Sequence, residues 1–238
     1  MKALIVVAHP EPDSFTLALA AAGRLSLEQQ GWEVAVSDLY RMQFKAVLDR
    51  DDFTTVSNPD RFNVSLEQRH AWSHQGLAPD VAAEVARLLA TDLLILQFPL
   101  WWFAAPAILK GWIDRVFLSG VVYGRNAMFE RGRLAGKRAL ICLTTGGPAE
   151  AFGPNGLYGE IDDLLRPLHR GVLGFTGMTV LPPFVCHDVP YAGDDARRDM
   201  LDRYRAHLNR LDTLEALAMP RLADHLDRLQ PSLRRPAG

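Results

Sequence analysis

Two hydrophobic rhythms alternate along this chain. Residues 2–8, "KALIVVA", form a near-continuous apolar, β-branched run of the kind buried on both faces of a parallel sheet, and they predict a first strand. Residues 14–30 then place apolar and small side chains at helical spacing, with Asp13 or Ser14 as the N-cap and Gly31 as the stop. "WEVAVSDLY" alternates into a second strand. A helix over Pro79–Ala90 opens with proline and acid, and residues 92–98 are a fully apolar third strand. A helix over 105–117, a strand over Arg138–Thr144 and a helix over about 160–169 follow. A fifth strand near 178–184 and a long amphipathic helix over 194–217, Arg and Asp on its outer face, complete the series.

Strands alternating with helices predict an α/β fold. The helix count and five strands suit a flavodoxin-like doubly wound parallel sheet, order 2-1-3-4-5, with helices on both faces, better than a six-stranded dinucleotide fold. Residues 1–217 are expected to form one domain, and 218–238 a short tail whose end, "QPSLRRPAG", frays. Residues 41–77 lack clear periodicity; a loop of that length inside a domain is uncommon and usually functional or partner-binding.

Composition narrows the classes. The 238 residues are 48% hydrophobic and 23% charged, ordinary for a globular chain, and a formal net charge of −2 gives no general pull toward nucleic acid or an anionic membrane. Cys142 and Cys186 fit a reduced compartment better than a disulfide framework. The N-terminal run reads as a strand and not as a signal peptide, and no apolar run approaches the roughly 20 residues of an integral membrane helix. A cytoplasmic location is expected.

In open α/β sheets, ligands sit outside the carboxyl ends of the strands. Four segments fall there. "HPEPDSFT" leads into a helix N-terminus, either as a plain cap or as a phosphate site with Ser14 and Thr16 as hydroxyl donors. "FPLWWF" puts four aromatic residues into residues 98–103, as core, partner surface or a stacking wall for a flat ligand; a turn at the ligand edge favours the wall. "TTGGP" lets a ligand approach the backbone, with successive N–H groups aimed at an acceptor. "CHDVPYAGDDAR" follows the fifth strand. No GxxxxGK[ST], helix-opening GxGxxG or GxSxG occurs.

Blander readings apply elsewhere. His70 and His74, four apart, lack a third ligand for a metal site, and none is assigned. Cys186 and His187 are adjacent, so they point apart, and no carboxylate orients them as nucleophile and base. Cys142 reads as a buried apolar residue, Leu201, Leu208 and Leu211 as a core stripe, and Arg234 and Arg235 as solvated tail.

Taken in order, "KALIVVAHPEPDSF", "GWEVAVSDLY", "LAPD", "LQFPLWWFAAPAILKGWIDRVF", "LTTGG" and "GVLGFTGMTVLPP" resemble the NAD(P)H:quinone reductase family, from residue 3 to about residue 211. The resemblance implies a flavodoxin-like fold, tightly bound FAD, a homodimer with shared active sites, and ping-pong hydride transfer from NAD(P)H to a quinone-like acceptor. It implies that His9, Ser14, Phe15 and Thr16 hold the FAD phosphates, and that Pro99, Leu100, Trp101, Trp102 and Phe103 flank the isoalloxazine. Thr144, Thr145, Gly146 and Gly147 would bond its edge. Asn63 stands where the family often has a Gln touching the flavin dinucleotide across the dimer, and Arg197 would lie near the FAD adenylate end. Tyr123, Met128 and Phe175 match substrate-pocket positions. Phe152 and Tyr158 stand where the animal enzymes carry a Tyr and a His, and Arg125 replaces a second pocket tyrosine. Phe152 can donate no hydrogen bond and Tyr158 cannot become a cation near neutral pH. Catalytic charge stabilisation is therefore expected from the backbone N–H groups of residues 145–147 and the Tyr158 hydroxyl. Alternatives are an FMN-type azo or nitro reductase of the same fold, or a flavoprotein that regulates a partner.

Overall fold

The apolar runs pair as their burial on both faces requires. In a computed structural model that describes residues 1–225, Lys2–Val7 (β1), Glu33–Asp38 (β2), Leu93–Pro99 (β3), Arg138–Thr144 (β4), Thr179–Val180 (β5) and Phe184–Cys186 (β6) form one parallel sheet. Its order is β2-β1-β3-β4-β5, with β6 also on β4. The expected fifth strand is thus two short ones. Pro182 and Pro183 interrupt it, and proline has no N–H to give a ladder.

The helices are Phe15–Gln29 (α1), Val64–Ser73 (α2), Pro79–Ala90 (α3), Ala107–Val116 (α4), Ile161–Leu168 (α5) and Asp194–Leu208 (α6). Ser14 caps α1, its side chain accepting from Leu17 N–H. Alternate strand residues feed two cores. Leu4, Val6, Leu94, Leu96 and Ile141 meet α3 and α4 through Val85, Leu88, Leu109 and Trp112 on one face. Ala3, Ile5, Val7, Ile95 and Cys142 meet α1 and α6 through Leu19, Leu27, Met200 and Tyr204 on the other. None of the described helices is long and apolar enough to cross a membrane.

Two expectations need correction. The last helix stops at Leu208 and not at residue 217; residues 209–214 continue as turns, and Leu217 N–H instead bonds Val180 O at 2.8 Å. Residues 41–77 are not without structure, because α2 lies inside them. Its buried face is Glu67, Gln68 and Ala71, so no apolar period betrays it. Those polar residues are hydrogen-bonded, as burial demands: Glu67 accepts from Ser57 N–H and Oγ–H at 2.7 Å each, and Gln68 Oε1 accepts from Ser119 N–H at 2.9 Å.

The stretch before α2 is clamped onto α4. Arg115 bonds Asp52 through Nε at 3.0 Å, Asp80 through Nη2 at 2.8 Å and the Lys45 carbonyl through Nη1 at 2.8 Å, with Phe44 4.6 Å beneath the guanidinium. Only 1% of the Arg115 side chain and 3% of that of Asp52 are exposed, so removing either partner would strand a buried charge. Gly111 makes the approach possible, since a Cβ there would lie 2.0 Å from Ala46 O. The expectation for 218–238 falls partly outside the described residues. Within them, Leu222 is buried, and Glu130 accepts from Leu222 and Ala223 N–H at 2.6 and 3.0 Å.

Candidate active site

Parallel strands end together, and their loops meet. Thr16 and Thr144 hydroxyls are 3.1 Å apart, Leu100 N–H donates to Thr144 O at 2.8 Å, and the His9 and Trp101 rings are 5.9 Å apart. Loops after β1, β3 and β4 therefore share one edge, the one beyond the strand carboxyl ends.

The aromatic turn is built under strain. Trp101 and Ala104 exchange both backbone hydrogen bonds, at 3.1 and 3.0 Å, around Trp102 and Phe103 at φ 50° and 58°. Such a two-residue turn normally takes Asn-Gly, because both central residues must be left-handed. Bulky residues there cost about 1–3 kcal/mol each, and strain of that size clusters at functional sites. Trp102 is 96% exposed and Phe103 45%. Phe103 continues into a ring series, 5.5 Å to Tyr158 and from Tyr158 5.3 Å to Phe152.

Gly147 underlies that series. A Cβ on it would lie 2.9 Å from Tyr158 Cε2 and 3.2 Å from Phe152 Cε2, whereas one on Gly146 would meet only Pro190 Cγ at 3.9 Å. Thr145 has both donors engaged within the chain: its N–H goes to Cys186 O at 2.8 Å and its hydroxyl to Gly147 O at 2.8 Å. The expected cradle of N–H groups thus contracts to Gly146 and Gly147, whose N–H groups have no partner among the described residues. His187, set aside as a base for Cys186 because adjacent residues point apart, places Nδ1 3.2 Å from Thr145 Oγ1 and its ring 5.3 Å from Phe152. Burial pushes the Cys186 thiol up to about 12, so it is no nucleophile near neutral pH. Position at the strand-carboxyl edge was the one sequence signal that marked His187.

Other predicted residues fall around this centre. His9 Nδ1 lies 3.0 Å from Glu11 N and 3.3 Å from Glu11 O; with the shorter contact accepted from Glu11 N–H, the ring proton is on Nε2 as a donor. Phe15 begins α1 half-buried, and Thr16 is buried with its hydroxyl turned to Thr144. Pro99 ends β3, and Leu100 packs half-buried on the first core. Arg197, in α6, donates from Nη2 to Val189 O at 3.3 Å, while its buried Nε has no partner among the described residues. Asn63 is exposed and caps α2, its Oδ1 accepting from Leu66 N–H at 3.2 Å.

A second aromatic cluster is separate. Tyr123 and Phe175 rings lie 5.6 Å apart and border a cavity of about 560 Å³ shared with Leu48, Ile113 and Val172 and with Gln68 and Asp114, while Phe129 lies 5.7 Å from Phe175. Met128 is half-buried beside Phe129, and Arg125 is exposed on the hairpin closed by Gly124 and Ala127. Among the described residues, no ring contact joins this cluster to Trp102 and Tyr158.

The family model for the flavodoxin-like fold matches residues 1–208. The guinea-pig protein NAD(P)H dehydrogenase [quinone] 1 (Cavia porcellus) is 38% identical over 211 residues, 88% of this chain and 77% of that protein. Ribosyldihydronicotinamide dehydrogenase [quinone] of Mus musculus is 40% identical over 208 residues, 87% of this chain and 90% of that protein. A solved candidate quinone reductase from Klebsiella pneumoniae superposes with TM-score 0.90 at 38% identity, covering 98% of this chain and 93% of its own.

Proposed function

The chain belongs to the NAD(P)H:quinone reductase family of the flavodoxin-like fold, and from that membership we propose a flavin-dependent oxidoreductase that moves hydride from NAD(P)H to a quinone-type acceptor. One observation carries this reading. A strained, exposed aromatic turn at Trp102 and Phe103 stands on the same edge as two glycine N–H groups, Gly146 and Gly147, that have no partner among the described residues.

The donor set suits a flavin dinucleotide. His9 Nε2–H, the Ser14 hydroxyl and the N-terminus of α1 would hold phosphates, with the helix dipole favouring negative charge. Beyond them, the buried Arg197 Nε lacks an acceptor among the described residues, and an orphaned buried donor costs about 1–3 kcal/mol. An adenylate half would supply one, which supports FAD over FMN. Flavin, when bound, supplies a carrier that takes hydride from the nicotinamide and passes it to the acceptor. The chain's own residues orient and stabilise. Trp102 and Phe103 offer a flat apolar face that excludes water. Gly146 and Gly147 N–H groups and the Tyr158 hydroxyl are donors for the edge where negative charge grows. Phe152 beside Tyr158 adds packing and no donor.

In one chain the wall is open, and Tyr123, Arg125, Met128 and Phe175 lie in the other cluster. A homodimer in which a second copy brings that cluster over Trp102 would complete the pocket; stable interfaces of this kind bury about 1,600 Å² or more. One flat pocket then holds nicotinamide or acceptor, not both, which requires ping-pong kinetics.

The test is to release the bound cofactor, identify it chromatographically, and follow anaerobic bleaching by NADH, NADPH and dihydronicotinamide riboside, the last because a 40% identical relative is named for it. Released FAD, bleaching, and parallel double-reciprocal lines with a quinone are expected. A protein without flavin, or one that no donor bleaches, overturns the proposal.

A further inference from the structure

The loop from β6 to α6 is tied to the glycine cradle by more than its own backbone. Thr145 N–H donates to Cys186 O at 2.8 Å, Val189 N–H to Thr145 O at 3.0 Å and Asp188 N–H to Gly147 O at 3.0 Å. Asp188 adopts φ 57°, a left-handed conformation that aspartate accommodates more readily than most side chains, and it turns the chain here.

One side chain completes this ladder, and its protonation follows from counting donors. Thr145 Oγ1 lies 2.8 Å from Gly147 O and 3.2 Å from His187 Nδ1. A carbonyl can only accept, so the single hydroxyl proton goes to Gly147 O. Thr145 Oγ1 then meets the imidazole with a lone pair, and His187 Nδ1 must carry the proton. The imidazole also lies 5.3 Å from the Phe152 ring, at 35°, on the aromatic series whose rings would touch a Cβ on Gly147.

Resting on the flavin-site reading above, we propose that His187 is a positioning residue: its Nδ1–H holds the Thr145 hydroxyl, which holds the Gly147 carbonyl, and this chain of bonds aims the Gly146 and Gly147 N–H groups. The Gly147 carbonyl and the Gly147 N–H lie in adjoining peptide planes hinged at the Gly147 Cα, with the Gly146 N–H one plane further back, so pinning the carbonyl removes much of the freedom of φ and ψ through which the N–H groups could swing. Burial holds the imidazole below its ordinary 6.5, assisted by Arg203 and opposed by Glu150. Nδ1–H is present in the neutral tautomer and in the cation alike, so the hold does not depend on the ring's charge. His187 touches no reacting atom; it acts through Thr145.

The test compares His187→Leu, His187→Asn and His187→Gln in the full-length protein with its flavin. An Asn amide nitrogen can stand about where Nδ1 stands, a Gln amide lies one methylene farther out, and Leu has no donor. Three quantities are read: release of flavin on dilution, stopped-flow flavin reduction by NAD(P)H, and the imidazole ¹⁵N shifts of the parent. Removing one such bond should cost about tenfold. We expect His187→Leu and His187→Gln to release flavin about tenfold faster and to be reduced about tenfold more slowly. His187→Asn should stay within about threefold of the parent on both, and the parent should show the Nδ1–H tautomer. If His187→Leu fails to fold, the Asn–Gln contrast still decides, because the two amides differ only in reach. A leucine variant equal to the parent, Asn and Gln behaving alike, or an Nε2–H tautomer overturns the role of His187 while leaving the flavin reading intact. A parent that carries no flavin overturns that reading and this inference with it.

Discussion

Gly111→Ala tests whether the clamp between α4 and residues 44–53 is as tight as its geometry implies. Helix propensity alone favours alanine by about 1 kcal/mol. Against it, the new Cβ would lie 2.0 Å from Ala46 O and 2.6 Å from Ala46 C and Cα, where real Cβ contacts stay above 3.0 Å. The obstacle is backbone, so no rotamer change relieves it, and the segment must retreat by about 1 Å. Retreat pulls the Lys45 carbonyl away from Arg115 Nη1, now 2.8 Å distant, and loosens the buried Arg115–Asp52 pair. Overpacking of this kind costs about 1–3 kcal/mol, and a weakened hydrogen bond to a charged group about 1.5–3 kcal/mol. After the helix gain, a net loss of about 1.5–5 kcal/mol remains, or roughly 3–20 °C in Tm for a chain of this size. Thermal unfolding by circular dichroism, at matched protein and flavin concentration because binding shifts Tm, reads it directly. Gly153→Ala, with no heavy atom within 4 Å of its ideal Cβ, is the control and should stay within about 0.5 kcal/mol. A Gly111→Ala protein melting at or above the parent would refute the reasoning.

Two further outcomes are expected. Tyr158→Phe should keep its flavin but slow reduction, by as much as about 10²-fold if its hydroxyl is a donor to the growing charge; an unchanged stopped-flow rate would leave the glycine N–H groups as the donors. Stability should fall from pH 7 toward pH 5, because burial holds His169, His187 and His207 below the ordinary 6.5, so the unfolded chain takes up protons first. A second decline should come at more acid pH, since hydrogen bonds from Ser57 hold Glu67 below its ordinary 4.5 and the stability it contributes is lost only as pH falls through that lowered value. Urea midpoints that stay flat from pH 7 to pH 5 would contradict the histidine argument.

The sequence by itself determined the elements whose burial is uniform. β1, β3 and β4 lie between two layers, so nearly every residue is apolar and the run is unmistakable. α3 was legible to the residue, because proline opens it and its buried positions Val81, Val85 and Leu88 keep helical spacing. The sheet order followed from the count of strands and helices and their alternation, and the loops after β1, β3 and β4 meet at the edge where parallel strands end. α2 was hidden, because the face it buries is Glu67, Gln68 and Ala71, and those residues are acceptable inside only once Ser57, Ser119 and Asp114 are beside them. The site's internal wiring was equally out of reach. No local pattern says that Thr145 gives its N–H to Cys186, that Phe103 meets Tyr158, or that His187 faces Thr145 across 42 residues of chain. Periodicity records which way a side chain points from its own strand or helix. Partners that arrive from another loop are set by the tertiary packing, and at this sheet edge it is those partners that decide which donors remain for a ligand.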